Sequence, residues 1–202
     1  MITRTQSKML RGDLAFFKEP RLSHMEKAML KWIVVDPDDR LLDTCIGSGM
    51  MAEYLRRNMQ CEICGVSDNM EHVRYARSRL SSSDIVYAPK GDIPWREDAF
   101  DTVLMKLAGE DDEQLARMFK EGARVLKPGG QLIVGLKCYP AVLADAWKTE
   151  EGDRRALCKE WVTDLLRRSS FHHMTWQRTG LTGGVLIAWK PKPSVEQVRK
   201  AV

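Results

Sequence analysis

Between Arg40 and Lys137 the chain alternates short apolar runs with segments whose apolar residues recur at helical spacing. No other feature limits its possible folds as strongly. Arg40-Leu41-Leu42, Glu62 to Val66, Asp84 to Ala88, Phe100 to Leu107 and Gln131 to Lys137 read as strands. Met50 to Asn58, Met70 to Leu80 and Glu113 to Leu126 read as helices, the second carrying Val73, Ala76 and Leu80 on one face. Strands separated by helices pair in parallel, because the helical crossover returns the chain to the same end of the sheet. Ahead of the first strand, Ser23-His24-Met25-Glu26 has capping-box spacing, and Met25, Ala28, Met29, Trp32 and Ile33 form a helical stripe that Asp36-Pro37 ends. After Lys137 the pattern changes. A helix from Arg154 to Ser169 precedes strands at His172 to Arg178 and Val185 to Trp189, and the Gly-rich Thr179 to Gly184 between them suits an antiparallel hairpin. The predicted architecture is α/β, a doubly wound and mostly parallel seven-stranded sheet with a C-terminal antiparallel hairpin and helices on both faces.

The chain has 202 residues, enough for one domain with a continuous core. Its formal net charge is only +4, and Lys and Arg are interleaved with Asp and Glu, so no nucleic-acid partner is expected. No apolar stretch approaches bilayer length, so no membrane partner is expected. Met1 to Gln6 lacks the apolar core of a signal peptide. Cys45, Cys61, Cys64, Cys138 and Cys158 are odd in number and scattered, which suits reduced thiols in the cytoplasm. Cys61 and Cys64 stand three apart on a strand and would face opposite ways, so no metal site is expected. The rings of His172 and His173 would diverge in the same manner. Trp147, Trp161 and Trp176 read as core material or as walls of an apolar pocket.

The strand Arg40-Leu41-Leu42 runs through Gly47-Ser48-Gly49 into a helix. Glycines permit the tight turn and a close backbone approach to a ligand, and the helix start offers unpaired N–H groups. Gly47 to Ala52 also matches the dinucleotide pattern G-x-G-x-x-A, which leaves an NAD(P)-dependent oxidoreductase open. A helix start that needs glycine only for packing would look the same.

Three further segments bear on the choice. Asp43 stands two residues before Cys45, Phe100-Asp101-Thr102-Val103 enters the fourth strand, and Glu121-Gly122-Ala123-Arg124-Val125-Leu126-Lys127-Pro128-Gly129-Gly130 leads into the fifth. On these segments the chain resembles, from Ser23 to Lys137, the class I or seven-stranded Rossmann-like S-adenosylmethionine-dependent methyltransferases. The likeness is to their small-molecule branch, with the ubiquinone and menaquinone biosynthesis enzymes. That resemblance implies S-adenosylmethionine as cofactor, with Asp43, Cys45, Gly47 and Gly49 bordering its methionine and ribose parts. The family glycine at position 45 is Cys here. The family's second-strand acid, which accepts from both ribose hydroxyls, falls at Ser67, with Asp68 one residue later. Asp68 can serve if the strand has ended there; otherwise Asp68 or Asn69 caps the next helix. Gly91-Asp92-Ile93-Pro94-Trp95 resembles the adenine segment, implying Asp92 and Ile93 at the base and Trp95 as core or wall.

The resemblance therefore implies methyl transfer from S-adenosylmethionine to an unidentified small molecule, by a monomer or homodimer. Residues 1–22 would form an N-terminal arm or lid, 23–137 the cofactor-binding core, and 138–202 the substrate-side helix and hairpin. Methyl transfer is an in-line displacement in which alignment supplies much of the rate, so no catalytic residue is nominated. Lys106 and Glu110 are candidates near the fourth strand's end, although solvated loop positions suit both. Glu110 to Glu113 would start a helix, where negative charge favours the dipole. Two alternatives stay open: the oxidoreductase, and a cofactor-binding but inactive methyltransferase-fold protein, the latter because of Cys45 and Ser67.

Overall fold

In chain order the computed structural model has α1 (His24–Leu30), β1 (Arg40–Asp43), α2 (Met50–Met59), β2 (Glu62–Ser67), α3 (Met70–Arg79) and β3 (Ile85–Tyr87). There follow β4 (Phe100–Leu107), α4 (Asp112–Val125), β5 (Leu126–Leu136), α5 (Lys159–Arg168), β6 (His173–Arg178) and β7 (Gly184–Trp189). The structure describes residues 22–81, 84–107, 110–136, 159–179 and 183–193. Residues 1–21 of the expected arm, the helix start at 154–158, Lys137, Cys138, Trp147, Cys158 and Gly180 to Thr182 lie outside the described residues.

The seven strands form one sheet in the order β3-β2-β1-β4-β5-β7-β6. β1 to β5 are parallel, while β7 runs antiparallel to both β5 and β6. The chain therefore winds outward from β1 in one direction to β3, then crosses back to β4. That reversal leaves a crevice beyond the C-terminal ends of β1 and β4, where ligands of open α/β sheets bind.

Side chains alternate across the central strands, so each strand feeds two cores. Leu42, Cys64, Val103 and Leu132 pack with Phe119 of α4 and Leu166 of α5. Leu41, Ile63, Leu104 and Ile133 pack on the other face with Met29, Leu55 and Val73 from α1, α2 and α3. Cys61 and Cys64 fall in opposite cores, as their spacing implied.

Ser23 caps α1 through the expected box: its Oγ accepts the Glu26 N–H at 3.2 Å, and Glu26 Oε2 accepts the Ser23 N–H at 2.9 Å. The helix ends at Leu30, earlier than its apolar stripe suggested. The N–H groups of Trp32 and Ile33 donate three residues back, to Met29 and Leu30, which tightens the chain while keeping Ile33 buried. β5 begins at Leu126, so Lys127 to Gly130 belong to the strand and do not merely precede it. Gly129 adopts φ +84°, its N–H donates to Lys190 O at 2.8 Å, and a register shift against β4 lies between Phe100 and Thr102. Pro and Gly here build an irregular strand start that pairs with the segment after β7.

Candidate functional site

Asp43, the last residue of β1, is fully buried. Its Oδ1 accepts the Cys45 N–H at 3.0 Å, and its Oδ2 lies 3.4 Å from Lys106 Nζ, near the end of β4. Lys106 Nζ is also 3.4 Å from Glu26 Oε1 on α1. Three elements distant in sequence thus meet through one ammonium and two carboxylates. Burial alone would lower the Lys106 pKa, but Asp43 and Glu26 outweigh it and hold the value above the usual lysine range. Burial pushes the Glu26 carboxyl upward, yet the Ser23 N–H and Lys106 together bring it below its ordinary value. The contact thus favours the charged forms of both Lys106 and Glu26.

The loop after Asp43 is fastened to β4 as well. Thr44 donates to Leu104 O through both its N–H and its hydroxyl, each at 3.0 Å. Cys45 Sγ reaches the carbonyl of Lys106 at 3.5 Å. Burial, followed by the Asp43 charge, raises the Cys45 pKa, so it stays a thiol and a weak nucleophile.

The two loop glycines differ in purpose. Gly49 caps α2 at φ +77°, and a Cβ there would stand 3.0 Å from Ala76 Cα, so it permits α2 and α3 to touch. Gly47, at φ +53°, would meet nothing within 4 Å, because its bare backbone faces a cleft. The packing reading fits Gly49, and the ligand reading fits Gly47.

On the neighbouring strand β2 ends at Ser67, so Asp68 has left the pleat. Ser67 Oγ is buried, accepts the Asn69 N–H at 3.1 Å and lies 3.5 Å from His72 Nδ1. Asn69 Oδ1 caps α3 by accepting from Glu71 and His72. The cap position is therefore taken, and the exposed Asp68 carboxylate makes no hydrogen bond or ion pair with the described residues.

Asp92 is half-exposed, 4.0 Å from Arg117 Nε, and follows Gly91 at φ +84°. Ile93 is buried. The Arg124 guanidinium donates to the carbonyls of Ile93 and Trp95 at 2.9 and 2.8 Å, and both Glu121 oxygens anchor it at 2.7 Å. The Glu121 to Gly130 block thus does more than build a turn: it holds the Asp92–Trp95 segment in place. Trp95 stacks edge-on against Phe100 with 5.5 Å between ring centroids, as a wall residue would.

These pieces enclose a cleft of about 290 Å³ at the C-terminal ends of the strands. Cys45, Gly47, Ser67, Asp68, Asp92 and Ile93 line it, whereas Asp43 and Gly49 do not. Lys106 and Glu110 correct an expectation. Neither is a solvated loop residue: Lys106 lies in β4 and in the buried network, and the Glu110 side chain is 1% exposed and 3.1 Å from Lys90 Nζ. Sequence reasoning missed His72, Lys90, Met105 and Met118, which also line the cleft. His72 and Lys90 each follow closely on the end of a strand, and that position was the available signal. Met118 reaches the cleft from α4, and only the helix's rotation on the sheet decides that.

A family model described as a methyltransferase domain matches residues 42–134. The ubiquinone/menaquinone biosynthesis C-methyltransferase of Geotalea daltonii is 28% identical over 113 residues, covering 52% of this chain and 48% of that one. The chain thus spans about half the length of this curated relative. An uncharacterized Methanocaldococcus jannaschii protein is 29% identical over 149 residues, 71% of this chain and 69% of its own. A solved S-adenosylmethionine-dependent methyltransferase of Methanosarcina mazei superposes with a TM-score of 0.65 at 20% identity, covering 79% of this chain and 95% of that one. Nothing in these comparisons supports the oxidoreductase alternative or an inactive member of the fold.

Proposed function

We propose that the chain, whose residues 42–134 match a methyltransferase domain, is a class I methyltransferase that transfers a methyl group from S-adenosylmethionine to a small molecule. The observation that carries this reading is the pairing of Gly47's open backbone with the exposed Asp68 carboxylate, which makes no hydrogen bond among the described residues, in one cleft.

The donor set fits the cofactor part by part. A vicinal diol is best received by a carboxylate with both oxygens open, and the exposed Asp68 makes no hydrogen bond among the described residues; such charge-assisted bonds are worth about 1.5–3 kcal/mol each. An adenine ring needs an apolar slot, and Ile93, Ala88, Val66 and Met118 supply it. The methionine end would lie along Thr44 to Gly47, beside Lys106, with Asp43 and Gly49 supporting the loop from behind. Asp92 would stand at the adenine rim and Ser67 beside the ribose. The cleft lies near the lower end of the ~300–1,000 Å³ typical of small-molecule sites.

When bound, the cofactor supplies a methyl group on a sulfonium. The chain's own residues bind and orient. The Asp43–Lys106–Glu26 network fixes the loop, and Arg124 fixes the adenine segment. Cys45, kept as a thiol, does not compete with an acceptor for the methyl group. Met105, on β4, adds an apolar wall that suits a small organic acceptor. No helix among the described residues is long and apolar enough to cross a membrane. The cytoplasmic setting is part of the same proposal, resting on the free thiols of Cys45, Cys61 and Cys64.

Titration calorimetry tests the cofactor. S-adenosylhomocysteine is expected to bind saturably at one site, and NAD and NADP are expected not to bind. Saturable NAD or NADP binding without the other would return the glycine loop to a dinucleotide.

A further inference from the structure

The two edges of the sheet are built differently. β3 is three residues long, and the Arg77 Nε donates at 2.8 Å to its outward carbonyl, that of Ile85. Pro89, which has no N–H to offer, follows shortly after. A short strand, a covering cation and a nearby proline all discourage pairing with another chain. β6, at the opposite end of the sheet, has none of these protections. It is six residues long, and from His173 to Gln177 it contains no Lys, Arg, Asp, Glu or Pro.

The ladder shows which backbone groups of β6 face outward. In the hairpin the Thr179 N–H donates to Gly183 O at 2.8 Å, so this pair and every second pair along the ladder bond β6 to β7. Those pairs take His173, Thr175 and Gln177. The other side of β7 agrees, because the Lys190 N–H donates to Gly130 O at 3.0 Å, which turns Leu186 and Ala188 toward β5. The N–H and C=O groups of Met174 and Trp176 therefore point away from the sheet, and no strand among the described residues receives them. The Met174 and Trp176 side chains are partly buried against the core that includes Leu166, while His173, Thr175 and Gln177 are exposed on the other face.

We infer that β6 is a dimer interface, and that its partner is β6 of a second copy of this chain, antiparallel about a two-fold axis at Thr175. In that register Met174 of each copy lies opposite Trp176 of the other, so the outward N–H and C=O groups of both residues are satisfied on both strands. The side chains match as well. Met174 meets Trp176 on the apolar face, His173 meets Gln177 on the polar face, and Thr175 meets itself. A strand matched by its own reversed sequence is what an isologous contact requires. Each copy carries a formal net charge of +4, yet the paired strip holds no acid, lysine or arginine, so like charges do not oppose one another there. None of the residues lining the cleft lies on β6, so the dimer is independent of the methyl-donor reading.

Across the axis the two Thr175 positions form a non-hydrogen-bonded pair, with Cα atoms ~4.5 Å apart and within disulfide reach. Mild oxidation of Thr175→Cys is expected to link most of the protein into an SDS-stable dimer. The unaltered chain, with its own five cysteines, sets the background. Tyr87→Cys, exposed on the other edge, is expected to stay at that background. In sedimentation equilibrium at micromolar concentration the unaltered chain is expected at twice its chain mass. Thr175→Lys and Thr175→Glu each set like charges across the axis and are expected to weaken the dimer at least about tenfold, and an equimolar mixture of the two is expected to restore it. Recovery in the mixture shows that both variants are folded. A monomeric unaltered chain overturns the inference, whether the edge then stands free or receives another protein. A dimer that survives both charged substitutions overturns it too, as does a mixture that stays monomeric while Thr175→Cys remains unlinked.

Discussion

Replacing Asp43 by Ala is expected to lower the free energy of unfolding by about 3 kcal/mol, because it removes one of the two carboxylates that hold a buried ammonium and frees the loop it organises. The side chain is 1% exposed, and its two oxygens serve different elements. Losing Oδ1 leaves the Cys45 N–H without its acceptor, and losing Oδ2 leaves Lys106 with Glu26 alone. A chain of this size loses roughly 2–4 °C of melting temperature per kcal/mol, so the transition would fall by about 6–12 °C. A urea titration measures the same loss as a lowered midpoint at unchanged slope. A change below about 1 kcal/mol, within the range of an exposed ion pair, would mean the network does not hold the loop.

Asp68→Asn is expected to reduce S-adenosylhomocysteine affinity by about 30- to 100-fold without moving the unfolding midpoint. Two charge-assisted bonds to ribose hydroxyls would become weaker neutral ones, at about 1.4 kcal/mol per tenfold change. Stability should not change, because the exposed carboxylate makes no hydrogen bond or close ion pair among the described residues and Asn69 already caps α3. Asp92→Asn serves as the contrast. That side chain is 54% exposed and faces Arg117 at 4.0 Å, so its loss should cost a few-fold at most. If Asp68→Asn binds normally and Ser67→Ala does not, the hydroxyls belong to Ser67.

What the sequence disclosed and what it withheld divide along physical lines. Alternating periodicity reports local contacts, so the parallel sheet and its helices could be read from Leu41, Val73 or Ile133. The capping box at Ser23 could be read for the same reason, since both of its bonds close within three residues. The end of β2 at Ser67 decided whether Asp68 was available. Periodicity leaves such an end uncertain by a residue or two, and here one residue reverses a side chain. The Asp43–Lys106–Glu26 network joins residues up to 80 apart in the chain. No local pattern announces that meeting, and Lys106 taken alone looks like a surface lysine. Glu110 misled for the same reason, since an acid before a helix is ordinarily solvated, whereas Lys90 encloses this one. Arg124 lay inside the block that most resembled the family, and its grip on Ile93 and Trp95 became visible only once α4 was set beside that segment.

The central claim is that the cleft between Gly47, Asp68 and Ile93 holds a methyl-donor cofactor. The most direct test is a crystal structure of the chain grown with S-adenosylhomocysteine. The expected result is density in that cleft, with the ribose hydroxyls on Asp68, the adenine beside Ile93 and the amino-acid tail along Thr44 to Gly47. Ligand density elsewhere, with the cleft holding only water at saturating concentration, would contradict it.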